Sequence, residues 1–191
     1  FTIFQDGELY RMYYRGLQVT DGRPAHREVV CYAESRDGLK WMRPELQIVE
    51  FNGSKKNNIV WDGLGSHNFT PFIDHNPACR PEAKYKALGR GQRTPDGKPG
   101  SIHQLFAFQS PDGIRWSLMR DEPVLTQGSF DSQNVAFWDP KRDCYVAFYR
   151  DSLGGFRAIR TATSHNFLDW DEPRFLGYRG AARQHLYTNA I

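Results

Sequence analysis

Three acidic side chains stand where apolar runs of the chain meet polar turns. They are Glu28 in His26-Arg27-Glu28, Asp131 in Asp131-Ser132-Gln133-Asn134, and Asp151 in Tyr149-Arg150-Asp151. Carboxylates gathered in a cleft with Arg and His suit general acid/base chemistry. A pair held across a sugar ring is the arrangement that cleaves glycosidic bonds. Three arginines recur at one equivalent point of the chain's internal repeat: Arg15 in Tyr14-Arg15-Gly16, Arg90 in Gly89-Arg90-Gly91, and Arg150. Arg is a donor of fixed geometry for carboxylate, sulfate or hydroxyl groups. A second polar set consists of Ser66, Asp131 and Gln184, followed by His67, Ser132 and His185. His103 and Arg157 add to it. Each of these groups has a plainer alternative, an ion pair for an acid or arginine and a satisfied hydrogen bond for a histidine.

The elements that must position these groups are written in a repeat. Ser35-Arg36-Asp37-Gly38-Leu39-Lys40-Trp41 returns as Ser110-Pro111-Asp112-Gly113-Ile114-Arg115-Trp116, and in degraded form as Ser164-His165-Asn166-Phe167-Leu168-Asp169-Trp170. Each follows an apolar run and precedes a charged stretch that ends in Leu. Alternating and β-branched or aromatic runs predict strands at 8–16, 27–35, 40–50, 68–74, 83–91, 102–110, 116–125, 133–138, 144–150, 156–164 and 170–178. Residues 1–4 look strand-like too. Pro44 marks 40–50 as an edge strand. Residues 51–65 are expected to form a long connection, and 92–100 a loop. No amphipathic helix of useful length is present.

A repeat of this size built from strands means an array such as a propeller. The expected fold is all-β, a β-propeller of four-stranded antiparallel blades. Blade parts cover 1–50, 66–125 and 131–178, and a further blade starts at 184–191. About three blades do not close a ring, so the remainder is expected from sequence beyond this stretch or from self-association with another copy. A seven-stranded sandwich is the alternative, and the blade-long repeat argues against it.

In a propeller the first strand of each blade lines the central channel. The starts of first strands, ends of second strands and starts of third strands then share one face. The acids, arginines and histidines named above fall on that face. The three Ser-x-(Asp/Asn)-x-x-x-Trp turns fall on the opposite face and are read as structural: Ser and Asp satisfy turn N–H groups, and Trp packs between blades. Glu34 goes with them. A net charge of +3 without a Lys/Arg tract gives no support to nucleic-acid binding. No apolar run approaches a membrane span. Of Cys31, Cys79 and Cys144, the first and last read as small buried hydrophobes, and the spacings match no metal motif.

These four-stranded units, with Tyr-Arg-Met-Tyr-Tyr-Arg-Gly at 10–16 and His-Leu-Tyr-Thr-Asn-Ala-Ile at 185–191, resemble the five-bladed β-propeller glycoside hydrolases. These are the relatives of families 43 and 32, such as arabinanases, xylosidases and fructosidases. The resemblance covers essentially the whole chain. It implies five blades when complete, a funnel-shaped site with two Asp and one Glu, a carbohydrate substrate, and a secreted or periplasmic bacterial protein. No cofactor is expected, and a Ca²⁺ ion in the central channel stays open. Asp131 matches one of the family's acids, with Asp151 and Glu28 competing for a second role. Gln184 stands where the resemblance calls for an acid/base Glu, and the Asn-Asp-Pro-Asn signature of family 32 is absent, so the substrate class does not carry over. Two functions follow as expectations. One is glycoside hydrolysis, with Arg15, Arg90, Arg150, His67, His103, Gln184 and His185 binding substrate. The other is a non-catalytic carbohydrate-binding or protein-interaction propeller, which Gln184 favours and in which the carboxylates would be fully paired with Arg.

Overall fold

The computed structural model describes residues 1–24, 27–92 and 102–188. His26, the expected loop from 93 onward and the last residues of the expected strand 184–191 lie outside these. The first blade begins with a hairpin of β1 (Thr2–Asp6) and β2 (Leu9–Gly16), in which Thr2 faces Tyr13. Gly7 closes the turn at φ 60°, where glycine is free of Cβ strain. A small side hairpin follows, β3 (Val19–Thr20) and β4 (Arg23–Pro24). The chain then returns as β5 (Val29–Ser35), and β6 (Ile59–Asp62) forms the outer strand.

That outer strand departs from expectation. The 40–50 stretch is not a strand; it contributes one bridge, Met42 to Glu34, and then leaves the sheet. Pro44 has no N–H to continue the ladder. The run Ile-Val-Trp-Asp takes the vacant edge instead. It is steered there by Asn58, whose Nδ2 donates to Tyr32 O (2.6 Å) and Tyr14 Oη (2.8 Å).

The second blade is β7 (His67–Ile73), β8 (Tyr85–Gln92), β9 (His103–Ser110) and β10 (Ser117–Leu118), with a 3₁₀ turn at Pro81–Ala83. The third is β11 (Val135–Asp139), β12 (Cys144–Leu153), β13 (Phe156–Ser164) and β14 (Arg174–Phe175). Each blade is a four-stranded antiparallel sheet in sequential order, as a propeller requires. The fourth strands of the second and third blades are shorter than expected. Residues 181–188 form no strand.

The core sits in the seams between blades. Tyr13 and Tyr32 of the first blade pack on Phe69, Tyr85, Phe106, Phe108 and Trp116 of the second. Leu88 and Leu105 of the second pack on Tyr145, Tyr149 and Phe167 of the third. Each fully buried aromatic contributes roughly 1.5–3 kcal/mol. Trp116 lies edge-on to both Tyr13 and Phe69, at centroid distances of 6.1 and 5.0 Å.

The turn motifs work as their residue types require. Ser110 Oγ accepts from Gly113 N–H (2.9 Å), Asp112 Oδ1 from the N–H groups of Ile114 and Arg115 (2.8 Å each), and the Trp116 indole donates to Gly113 O (3.0 Å). Ser35-Asp37-Trp41 and Ser164-Asn166-Trp170 repeat the pattern. The central glycines have φ near 75° (Gly38 72°, Gly113 75°). The degraded copy holds Phe167 in the same left-handed conformation, at φ 66°. Its ring is fully buried against Phe72, Tyr145 and Trp170. Among the described residues, no helix is long and apolar enough to cross a membrane.

Candidate functional site

At one end of the three blades the polar strand ends converge. Asp131 is placed by the residue before it. Phe130 is fully buried, takes φ 53°, and packs on Tyr149 at 5.0 Å. Its carbonyl accepts from Asn134 Nδ2 (3.3 Å) and from Asn68 Nδ2 of the second blade (3.4 Å). Its N–H and that of Ser129 donate to Arg150 O (3.1 Å each). Asn68 adopts φ 51° inside a bulge of β7 between His67 and Thr70. Such bulges re-aim side chains, and Asn tolerates that conformation. The strained pair Asn68 and Phe130 thus fixes where the chain turns into Asp131.

Arg150 holds Asp131 in a two-point pair. Nε lies 2.6 Å from Oδ1, and Nη2 contacts Oδ2. The guanidinium also donates to Tyr187 O (3.0 Å) and covers the Tyr187 ring at 4.9 Å. The Arg150 side chain is 5% exposed and that of Asp131 42%, so the carboxylate is the wet end of the pair. The hydrogen bond from Arg150 is the main cause that keeps the Asp131 carboxyl below the usual carboxylate range, against opposing burial. Asp131 is therefore ionised throughout the neutral range.

Glu28, just ahead of β5, joins the first two blades. It accepts from Arg15 Nη1 (3.3 Å) and meets His67 Nδ1 at 2.7 Å. Arg15, Ser66, His67, Asn68 and Asp131 line one polar cleft of about 470 Å³. Glu28, Ser66, His67, Arg90 and Gln92 line a second, of about 510 Å³. Ser66 and His67 belong to both, so the clefts adjoin. Arg90 lies against His103, with Nη2 at 2.7 Å from Nε2 and 2.8 Å from Nδ1, and Gln92 Nε2 is 2.8 Å from Nδ1. Burial, then the Arg90 charge, pulls His103 below its ordinary pKa. A neutral ring accepts at one of its two nitrogens, so it can take one N–H from this pair of donors.

The structure thus brings together Arg15, Glu28, His67, Arg90, His103, Asp131 and Arg150. It places three expected residues elsewhere. Asp151 points to the other face of β12, where Oδ2 accepts from Arg160 Nε (2.6 Å) and Oδ1 from Ser129 Oγ (3.3 Å). Neighbours on a strand face opposite ways, so Arg150 and Asp151 do not share a cleft. Gln184 is exposed at the outer side of the third blade, in a hollow with Phe156 and Leu176. His185 accepts from Arg157 N–H (3.1 Å) and lies tilted against Phe156, with ring centroids 5.3 Å apart. Four contributors escaped the sequence reading: Tyr187, Asn68, Asn134 and Asp62, the last pairing with Arg27 at 2.5 and 2.6 Å. The polar Asn68 and Asn134 at the starts of otherwise apolar runs were the available signal for these two residues. Among the described residues, no group of three or more His, Cys, Asp or Glu is arranged to hold a metal ion.

No family model matches the chain. It is 26% identical over 159 residues to an uncharacterized protein of Mycobacterium tuberculosis strain H37Rv, and 25% identical over 162 residues to one of strain CDC 1551. Each match covers 80% of this chain and 46% of the relative, so the chain spans about half the length of the curated relatives it matches. Among solved structures it superposes on a fructofuranosidase variant from Schwanniomyces occidentalis complexed with fructosylnystose (TM-score 0.61, 16% identity, 94% of this chain, 34% of that one). It also superposes on an exo-inulinase from Aspergillus awamori (0.60, 13%, 93% and 37%). A third match is an N-acetylgalactosamine deacetylase from F. plautii in complex with blood group B trisaccharide (0.54, 14%, 88% and 50%). The chain shares its bladed fold with these solved structures, and at these identities the likeness is one of fold.

Proposed function

We propose that this chain carries the carboxylate half of a glycoside-hydrolysing site in a propeller mouth. The observation that carries the reading is the Asp131–Arg150 pair, an ionised carboxylate with its wet side turned into a polar cleft. Its likeness in fold to a fructofuranosidase and an exo-inulinase supports a sugar as the occupant. Glycosidic cleavage passes through a cationic sugar ring, and a fixed anion beside that ring serves as nucleophile, base or stabiliser. Asp131 takes that role. Arg150 keeps it ionised and oriented. Arg15, Ser66, His67 and Asn68 bind ring hydroxyls. Departure of the leaving sugar needs a proton donor, and a depressed carboxyl is a poor one. Glu28, joined to His67, takes the donor role in this scheme. The ring is completed to five blades by further sequence or by a second copy.

A second reading has its own observation. Asp131 and Glu28 are both already paired, with Arg150 and with Arg15 and His67. A pure binding module would look the same, with the cleft reading a glycan end without cleaving it. Reducing-sugar release over a panel of plant, algal and bacterial polysaccharides separates the two. Release from one class of glycan supports hydrolysis. Binding with no release from any glycan overturns it and leaves the binding module.

A further inference from the structure

Of the three arginines at equivalent points of the repeat, Arg15 contacts Glu28 and Arg150 contacts Asp131. Arg90 differs. Among the described residues its guanidinium has only the His103 ring nitrogens as hydrogen-bond partners. Asp131 and Glu28 are near enough to act on it through space, yet neither bonds to it. Arg27, which lines the same cleft, pairs with Asp62, so the mouth holds four guanidinium groups against three carboxylates, and the surplus charge sits at Arg90. Its burial is partial, and it lines the cleft that adjoins the Asp131 cleft through Ser66 and His67. A buried cation without a counter-ion is costly, and one facing a cleft recovers that cost when an anion enters.

We propose that the Arg90 cleft is a subsite for an anionic substituent, a carboxylate or sulfate carried on the glycan next to the sugar at Asp131. This inference rests on the carbohydrate-binding reading of the mouth and goes beyond it by naming the substrate class. Arg90 presents the two-point donor geometry that both anions accept. Neutral His103 takes one of its N–H groups and holds the guanidinium plane in place. Gln92 on the same rim supplies a further donor. Uronic acids and sulfated sugars share this chemistry, and the probes below tell them apart.

The test is calorimetric titration of the intact protein with two matched pairs of probes: trigalacturonic acid against its methyl ester, and a sulfated galacto-oligosaccharide against its desulfated form. The expected result is tighter binding of the charged member of at least one pair by about tenfold or more, as a charge-assisted bond provides. Arg90→Gln brings that ratio close to one, and Arg90→Lys, which keeps the charge and loses the fork, retains part of it. Which pair shows the preference identifies the anion. Equal affinity within both pairs, a preference that Arg90→Gln leaves intact, or no binding of any probe overturns the inference. If Arg90→Gln does not fold, the ratios for the unmodified protein and for Arg90→Lys decide. Hydrolysis of neutral glycans without a charge preference sinks this subsite and leaves the proposed function standing. A charge preference without hydrolysis does the reverse.

Discussion

Replacing Lys86 with Met strands a carboxylate in the seam between the second and third blades. The Lys86 and Asp74 side chains are 5% and 0% exposed and form a direct ion pair. Tyr145 of the third blade donates to the same carboxylate at 2.7 Å, and Asn76 N–H donates at 2.9 Å. Lys86 also reaches Ala83 O at 3.2 Å and Cys79 Sγ at 3.4 Å. Met fills nearly the same volume, so the loss is electrostatic rather than a cavity. Removing one partner of such a buried pair costs about 3–5 kcal/mol, out of the roughly 5–15 kcal/mol that a domain has. With a slope of about 2–3 kcal/mol per molar urea, the midpoint falls by about 1–2.5 M. The assay is urea unfolding followed by tryptophan fluorescence at several pH values. Burial raises the Asp74 pKa, and the hydrogen bonds from Lys86 and Tyr145 outweigh it, so the carboxyl lies below its ordinary value. A depressed native pKa stabilises the fold above the unfolded pKa of about 3.9, and that contribution fades as pH falls through the native value. Without Lys86 the same carboxyl moves upward, and protonation then relieves the penalty. The gap between Lys86→Met and the unmodified protein should therefore shrink as pH falls from 7 toward 4. Adding Asp74→Asn to Lys86→Met should recover part of the loss at pH 7. A loss below about 1 kcal/mol at pH 7, or one independent of pH, would refute this account of the seam.

Phe167→Gly sets two effects against each other. Glycine removes left-handed strain of about 1 kcal/mol, and the lost ring leaves a void costing about 3–5 kcal/mol. Since Phe167 is fully buried, the void wins, and thermal unfolding should show a net loss of about 2–4 kcal/mol; a stabilised variant would contradict this. Arg150→Gln removes the donor that depresses Asp131. If cleavage or binding needs the ionised carboxylate, the acidic limb of its pH profile, which for the unmodified protein lies below the ordinary carboxylate range, moves to higher pH. An unmoved limb would show that Asp131 is not the group being titrated.

Inner strands and turns were legible because period-2 runs and Asp-Gly turns depend on local chemistry. The strand expected at 156–164 is found as Phe156–Ser164. The outer strand of the first blade was not legible. Ile-Val-Trp-Asp lies in an Asn- and Lys-rich stretch, and only the tertiary contacts of Asn58 show why it joins the sheet. The mouth was legible in part, because blades superpose and Arg15, Arg90 and Arg150 fall at equivalent points of their strands. Asp151 was misplaced because the strand was expected to end at 150, whereas it runs to Leu153 and alternation turns Asp151 to the opposite face from Arg150. Tyr187 could not be read, since it reaches Arg150 from a segment that forms no strand. Gln184 and His185 were expected at the mouth on the premise that residues 184–191 begin another strand; residues 184–188 adopt no regular structure, and the two side chains lie along the third blade.

The central claim is that Asp131 acts chemically on a bound glycan. The direct measurement is the rate of reducing-sugar release by the unmodified protein and by Asp131→Asn, on a glycan that both bind. The account predicts a fall of about 10²–10⁴-fold, with binding retained, as the loss of a carboxylate acting on the reacting sugar gives. Release by Asp131→Asn at the unmodified rate would contradict it.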